Sequence, residues 1–257
     1  MVDFNPVLLI GFIYSLAIIF LGVFLFKMKL FDKKKKLIIL FASILIPGFI
    51  LQAPPVIRQL QILIISLTQG SEIQPLLFIG LPVFFVTILI MGRFFCGYSC
   101  PVGALQEFVY ELPTRKVVFN QKTANIVRGI VFLVMIILAV TVGFALFMIL
   151  DIYTIFSLAS LLIMIPSIAT LIVISIFVYR PWCRILCPFG FVAWVLGRVS
   201  LFKINRNENC NECGICENVC PTQEADENSS KGECYLCNRC IEACPNNALD
   251  YSFTMKK

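Results

Sequence analysis

Up to Lys203 the apolar residues fall in long unbroken runs, without the polar stripe that a helix on the surface of a soluble protein carries. Val7–Phe26, Pro75–Met91, Gly129–Leu150 and Ser157–Tyr179 are each long enough to cross about 30 Å of hydrocarbon at roughly 1.5 Å per residue. Leu37–Gln52 is shorter and is followed by Pro54-Pro55, yet its composition still favours a span. The pattern therefore predicts about five transmembrane helices. Between the second and third, Pro54–Gln74 reads as an external segment with Leu60–Leu67 lying along the interface. Between the third and fourth, Arg93–Arg128 reads as a cytoplasmic connection with a helix at Pro101–Leu112. Phe189–Phe202 is too short to span and reads as an interfacial helix.

Composition agrees with this pattern. Hydrophobic residues make up 59% of the 257 and charged residues 14%, more apolar surface than a wet-surfaced soluble domain can hide. Lysine and arginine orient the spans. With Lys27–Lys36 inside, the N-terminus lies outside, Arg58 is the only external base, and the other 20 of 21 lie on the cytoplasmic side. Met1–Pro6 has no basic n-region and no small-residue cleavage site follows, which predicts a retained helix.

From Arg206 the character changes. Residues 206–257 hold nine acids and five bases, whereas 1–205 hold six acids and 16 bases. The division predicts a transmembrane domain over 1–205 and a small polar domain on the cytoplasmic side over 206–257. Acidity of that kind either docks a basic partner or merely solvates a surface, and the second reading is the commoner.

All 12 cysteines fall in two internal repeats. In the tail, Cys210, Cys213, Cys216, Cys220 and Pro221 recur 24 residues later as Cys234, Cys237, Cys240, Cys244 and Pro245. This C-x2-C-x2-C-x3-C-P spacing, twice, is that of bacterial proteins holding two [4Fe–4S] clusters, in which three thiolates on a tight loop grip one cubane and the fourth completes its neighbour. It predicts one cluster on Cys210, Cys213, Cys216 and Cys244, and another on Cys234, Cys237, Cys240 and Cys220. Pro221 and Pro245 suit a first helical turn, and Gly214 suits close approach of backbone to the cage. Disulfides would need an oxidising compartment. Structural zinc would not need the third cysteine or the trailing proline.

The second repeat lies at the membrane face. Arg93, Cys96, Cys100, Pro101 and Gly103 recur 87 residues later as Arg180, Cys183, Cys187, Pro188 and Gly190, each copy following a span that runs inward. Cys100 and Cys187 should each start a helix, where the dipole and a nearby arginine would favour thiolate. Three readings of Cys96, Cys100, Cys183 and Cys187 stay open: a third metal or cluster site, redox-active dithiols, or small residues at turns. Arg93 and Arg180 read either as interfacial anchors or as charges of a site. Phe94, Phe95, Tyr98, Trp182 and Phe189 read either as an interfacial aromatic belt or as a quinone pocket.

Several chemistries are excluded. There is no histidine, so no histidine-ligated haem, and no C-x-x-C-H. No glycine-rich dinucleotide or phosphate loop is present. The bases track the bilayer face and do not form a stripe for nucleic acid.

Many-span helices, two membrane-face C-x3-C-P motifs and a trailing two-cluster tail together resemble the NapH/NosR-type membrane polyferredoxins. The resemblance covers roughly Leu76 to Asp250. It implies an all-α polytopic membrane domain followed by a small α+β ferredoxin domain of the bacterial 2[4Fe–4S] type. It also implies membrane-bound electron transfer between the quinone pool and redox protein partners, with Cys96, Cys100, Cys183 and Cys187 serving that transfer. The external flavin domain of NosR-like members is absent, and five spans are counted where NapH-like members are drawn with four. Related proteins with these motifs are implicated in copper reduction, which makes a copper-binding or copper-reducing assembly factor the alternative. A membrane anchor whose clusters serve only folding is a third reading.

Overall fold

A computed structural model of the chain describes residues 6–51, 56–70, 75–143 and 161–253. It opens with helices α1 (Pro6–Lys27), α2 (Lys33–Ile44), α3 (Val56–Gln69), α4 (Pro75–Met91), α5 (Pro101–Tyr110) and α6 (Gln121–Thr141). Then follow α7 (Leu161–Phe177), α8 (Pro188–Arg198), strand β1 (Phe202–Arg206), two short helices, α9 (Ile215–Asn218) and α10 (Arg239–Ala243), and strand β2 (Leu249–Phe253). Two helical stretches, Leu9–Lys27 and Gln121–Thr141, are long and apolar enough to cross a membrane, and Gly80–Met91 and Ile168–Phe177 are shorter apolar helices. The expected spans Gly129–Leu150 and Ser157–Tyr179 lie partly outside the described residues.

The outward faces identify the solvent. On α6, Ile126, Ile130, Leu133 and Ile137 all point outward, at the spacing of one helical face. On α1, Ile10, Ile13, Phe20 and Phe24 are at least half exposed. An apolar stripe turned outward inverts the pattern of a soluble helix and suits lipid.

The membrane-face repeat is a structural repeat. α4 and α7 each lead into a short π-helical turn, Phe95–Ser99 and Trp182–Leu186, closed by Cys100 N–H to Phe95 O (3.0 Å) and Cys187 N–H to Trp182 O (2.9 Å). Both turns end the same way. The proline that follows forces Cys100 (φ −72°, ψ 118°) and Cys187 (φ −74°, ψ 111°) into extended backbone, and Pro101 and Pro188 then open α5 and α8. The expected helix starts after Cys100 and Cys187 are present.

The two segments expected at the interface also pack on other helices. α3 packs against α4 and α6, with Gln59 and Gln61 buried, and α8 packs against α4, α6 and α3. On α8 the small residues Gly190, Ala193 and Gly197 allow this close helix contact. The aromatic belt is also internal. Phe94, Phe95, Tyr98 and Phe189 are buried and pack on one another, with Phe94 stacked on Tyr98 at 4.6 Å and Phe95 on edge to Phe189 at 6.1 Å.

β1, which lies just ahead of the expected boundary at Arg206, pairs antiparallel with β2 in the register Phe202↔Phe253 to Arg206↔Leu249, so the strands flanking the tail cysteines close on each other. Ile204, Leu249 and Tyr251 form their buried face. The tail is seated directly on the helices. Tyr251 Oη donates to Met91 O, Tyr98 Oη to Leu236 O and Asn238 Nδ2 to Phe31 O, each at 2.9 Å.

Candidate iron–sulfur sites and the buried ion network

The 24-residue repeat of the tail is carried by its backbone. Glu212 and Leu236, Gly214 and Asn238, and Gln223 and Asn247 are equivalent pairs, and all six residues have positive φ. Left-handed residues inside each C-x2-C-x2-C turn curl the chain so that successive thiols face one centre. Gly214 takes up this conformation at φ +72°, with no protein atom within 4 Å of where its Cβ would stand. Pro221 and Pro245 also differ from expectation. They follow α9 and α10 and lead into turns, stopping helices that the ring cannot continue.

The eight tail cysteines surround two cavities. One, of about 190 Å³, is lined by Cys220, Cys234, Cys237 and Cys240, together with Tyr179, Tyr235 and Arg239. The other is smaller and is lined by Cys210, Cys213, Cys216 and Cys244. Each combines three thiols of one motif with the fourth of the other. Backbone amides aim at the two crossing sulfurs in the same way: Glu224 N–H to Cys220 Sγ and Ala248 N–H to Cys244 Sγ, both 3.3 Å. Such donors suit sulfur carrying negative charge, and this donor set fits an iron–sulfur cage. Among the described residues no three His, Cys, Asp or Glu side chains gather closely enough for one metal ion. A cage spreads its ligands wider than a single ion does.

The membrane-face motifs are cross-wired. Arg93 of the first copy donates through Nη2 to Gly190 O of the second at 3.3 Å. Arg180 of the second donates to Cys96 O at 2.6 Å and Gly97 O at 2.9 Å in the first. Gly103 and Gly190 lie against the carbonyls of Cys96 and Cys183, the matching residues of their own copies. A Cβ on Gly190 would stand 2.6 Å from that oxygen. The four thiols converge, and burial pushes Cys96 and Cys183 up and Cys187 up to about 12, the last against the pull of the Gly190 amide. At Cys187 the expected thiolate character is thus not supplied by the protein alone, because burial outweighs the Gly190 amide and Arg128.

Arg93 and Arg180 are not interfacial anchors. With Arg128 and Arg184 they are the largest fully buried side chains among the described residues. Glu233 Oε1 lies 2.6 Å from both Arg93 Nη1 and Arg128 Nη2. Glu107 pairs with Arg180 (2.9 Å), Lys36 (2.8 Å) and Arg239 (2.8 Å), and Glu111 pairs with Lys36 and Arg239 at 2.6 Å. Burial alone would raise the Glu107 carboxyl, but Arg239, Lys36 and Arg180 hold it well below the usual carboxylate range. Glu233 is likewise lowered against burial by Arg93 and Arg128. Lys36 therefore leaves the basic run of Lys33–Lys36 and enters the protein. The sequence reading missed Glu107, Glu233, Arg128, Lys36 and Arg239. A carboxylate inside the otherwise apolar Pro101–Tyr110 was the one available signal.

The network joins the two halves of the chain. Glu233 and Arg239 belong to the tail, and their partners belong to the helical part. Tyr235, one residue past Cys234, lies between the guanidinium groups of Arg93 (4.2 Å) and Arg180 (4.7 Å). Gly97 of the first membrane motif abuts Tyr235 O so closely that a Cβ there would stand 2.6 Å away. The Cys234–Cys240 loop thus rests on the C-x3-C-P region.

Comparison with known proteins places this architecture. A family described as a 4Fe-4S binding domain matches residues 73–120 and again 159–207, one match for each membrane-face copy. An uncharacterized protein of Methanocaldococcus jannaschii is 31% identical over 188 residues, covering 69% of this chain and 79% of that protein. The ferredoxin-type protein NapH of Haemophilus influenzae is 27% identical over 195 residues, 68% of this chain and 67% of NapH. The regulatory protein NosR of Stutzerimonas stutzeri is 30% identical over 188 residues, 64% of this chain but only 26% of NosR. No solved structure matches the chain. With two membrane-face motifs, a cysteine-lined tail and these relatives, the chain belongs to the NapH/NosR-type family of membrane iron–sulfur electron-transport proteins.

Proposed function

We propose that the protein is a five-span carrier in the cytoplasmic membrane. In this reading it passes electrons between the quinone pool and a redox protein partner through two [4Fe–4S] clusters in an α+β ferredoxin domain over 206–257. Cys210, Cys213, Cys216 and Cys244 would hold one cluster, and Cys220, Cys234, Cys237 and Cys240 the other. The clusters would supply reversible one-electron chemistry. The observation that carries the reading is the sorting of eight thiols into two groups of four, each lining its own cavity and each borrowing its fourth member from the other motif.

The chain's own residues do the rest. The paired amides on Cys220 and Cys244 stabilise charge on sulfur. Tyr179, Tyr235 and Leu249 wall the cavity of Cys220, Cys234, Cys237 and Cys240, the inner one beside the helices, and solvent exposure with net charge and hydrogen bonding sets a cluster's potential. Glu233 and Arg239 fix the tail on the membrane face, so the inner cavity stays beside the helices.

Adding a quinol analogue to anaerobic membranes that contain the protein should reduce the tail clusters, read by the growth of their EPR signal. An unchanged signal in membranes where dithionite does reduce them would remove quinone as the membrane-side partner.

A further inference from the structure

We infer that the two C-x3-C-P copies jointly hold a third [4Fe–4S] cluster, ligated by Cys96, Cys100, Cys183 and Cys187 and tuned by a hydrogen bond from Gln106. This deepens the electron-transfer reading and rests on it. It does not rest on the tail ligand assignment.

Three observations converge on this. First, the site is shared. Arg93 and Arg180 each cross to the other copy, and Gln106, on the helix that follows Cys100, reaches Cys183 of the second copy.

Second, the surroundings hold an excess of positive charge. Arg93, Arg128, Arg180, Lys36 and Arg239 share Glu107, Glu111 and Glu233 as their carboxylates among the described ion pairs. Arg184 is 1% exposed and bonds only to neutral groups among those described, the carbonyls of Tyr179 and Pro221 and the Gln121 amide. Buried cations in excess of their counter-charges are costly. A cluster with four thiolates is a net anion and would supply the missing charge.

Third, one thiol already receives a purpose-placed donor. Gln106 is 1% exposed, and its Nε2 donates to Cys183 Sγ at 3.2 Å. Its orientation is fixed, because Oε1 accepts from Trp182 N–H at 3.0 Å and Nε2 also reaches Val102 O at 3.1 Å. The second copy has Ala193 at the matching position, so the donor is not a by-product of the repeat. An N–H donor on a cluster sulfur favours the reduced, more negative state.

The position gives the cluster a place in the route. Tyr235 follows Cys234 of the inner tail group and carries Arg93 and Arg180, one from each copy, on its ring, so it links the two sites. Electrons would pass from the membrane-face centre to the inner tail cluster and then to the outer one, or in reverse.

The test is metal and sulfide analysis of the full chain, purified anaerobically, followed by an EPR-monitored redox titration. The expected content is about twelve irons per chain, falling to about eight in the Cys96→Ser/Cys187→Ser double variant with the tail signals kept. Gln106→Leu should keep the iron and lower the potential of the extra centre alone, by about tenfold in its reduction equilibrium, or about 59 mV. About eight irons in the unmodified chain would overturn the inference while leaving the tail clusters standing, whatever the double variant does. Stoichiometric copper or zinc on these thiols, or a disulfide among them, would also overturn it. A potential unmoved by Gln106→Leu would remove the tuning role. A chain without iron would instead overturn the proposed function itself.

Discussion

Glu233→Ala should unseat the tail from the membrane face. Its carboxylate is fully buried and is shared by Arg93 and Arg128 at 2.6 Å. Removing it strands two guanidinium groups with no counter-charge at that point, a loss of about 3–5 kcal/mol for a broken buried pair. A domain stabilised by about 5–15 kcal/mol in all cannot absorb that unnoticed. Because Glu233 neighbours Cys234, the effect should reach the inner tail group before the outer one. Limited proteolysis of the anaerobic protein should show faster cleavage around residues 198–206, and the iron–sulfur absorbance should bleach at lower temperature. Glu233→Gln keeps the shape and one acceptor and should fall between the two. Wild-type protection in the alanine variant would show that the tail is held by other contacts.

Cys220→Ala should remove one whole centre, and not the one its own motif suggests. Cys220 follows Cys210, Cys213 and Cys216 in sequence, yet it lines the cavity of Cys234, Cys237 and Cys240. Its loss should therefore leave the same residual EPR spectrum as Cys234→Ala. Cys244→Ala should match Cys213→Ala instead. A [4Fe–4S] cage that loses a thiolate ligand loses iron or degrades, so each variant should drop by about four irons per chain. If Cys220→Ala and Cys213→Ala gave matching spectra, the crossed ligand sets would be wrong.

The grouping of the tail cysteines was legible in the sequence because it follows from local spacing. Three thiols that must face one cage have to recur at short fixed intervals, and the C-x2-C-x2-C-x3-C-P pattern records that need directly. The membrane character was legible for a similar reason, since lipid requires continuous apolar length. The ion network was not, because it is built from contacts distant in sequence. Arg93 and Glu233 are 140 positions apart, and Lys36 reaches a carboxylate at Glu107 from within a run of four lysines that reads as a solvated anchor. Gly97 shows the same limit: nothing around it announces that its missing side chain makes room for the carbonyl of Tyr235. The π turns before Cys100 and Cys187 were hidden too, although the proline that ends each of them was in view.

The most direct test of the central claim is Mössbauer spectroscopy on the isotope-enriched full chain, with Cys96 and Cys187 replaced by serine so that only the tail can bind iron. The account predicts a brown protein with two quadrupole doublets of the delocalised cubane type in equal amounts, both reducible by one electron. A colourless preparation, or one in which zinc takes the place of iron on the tail thiols, would contradict it.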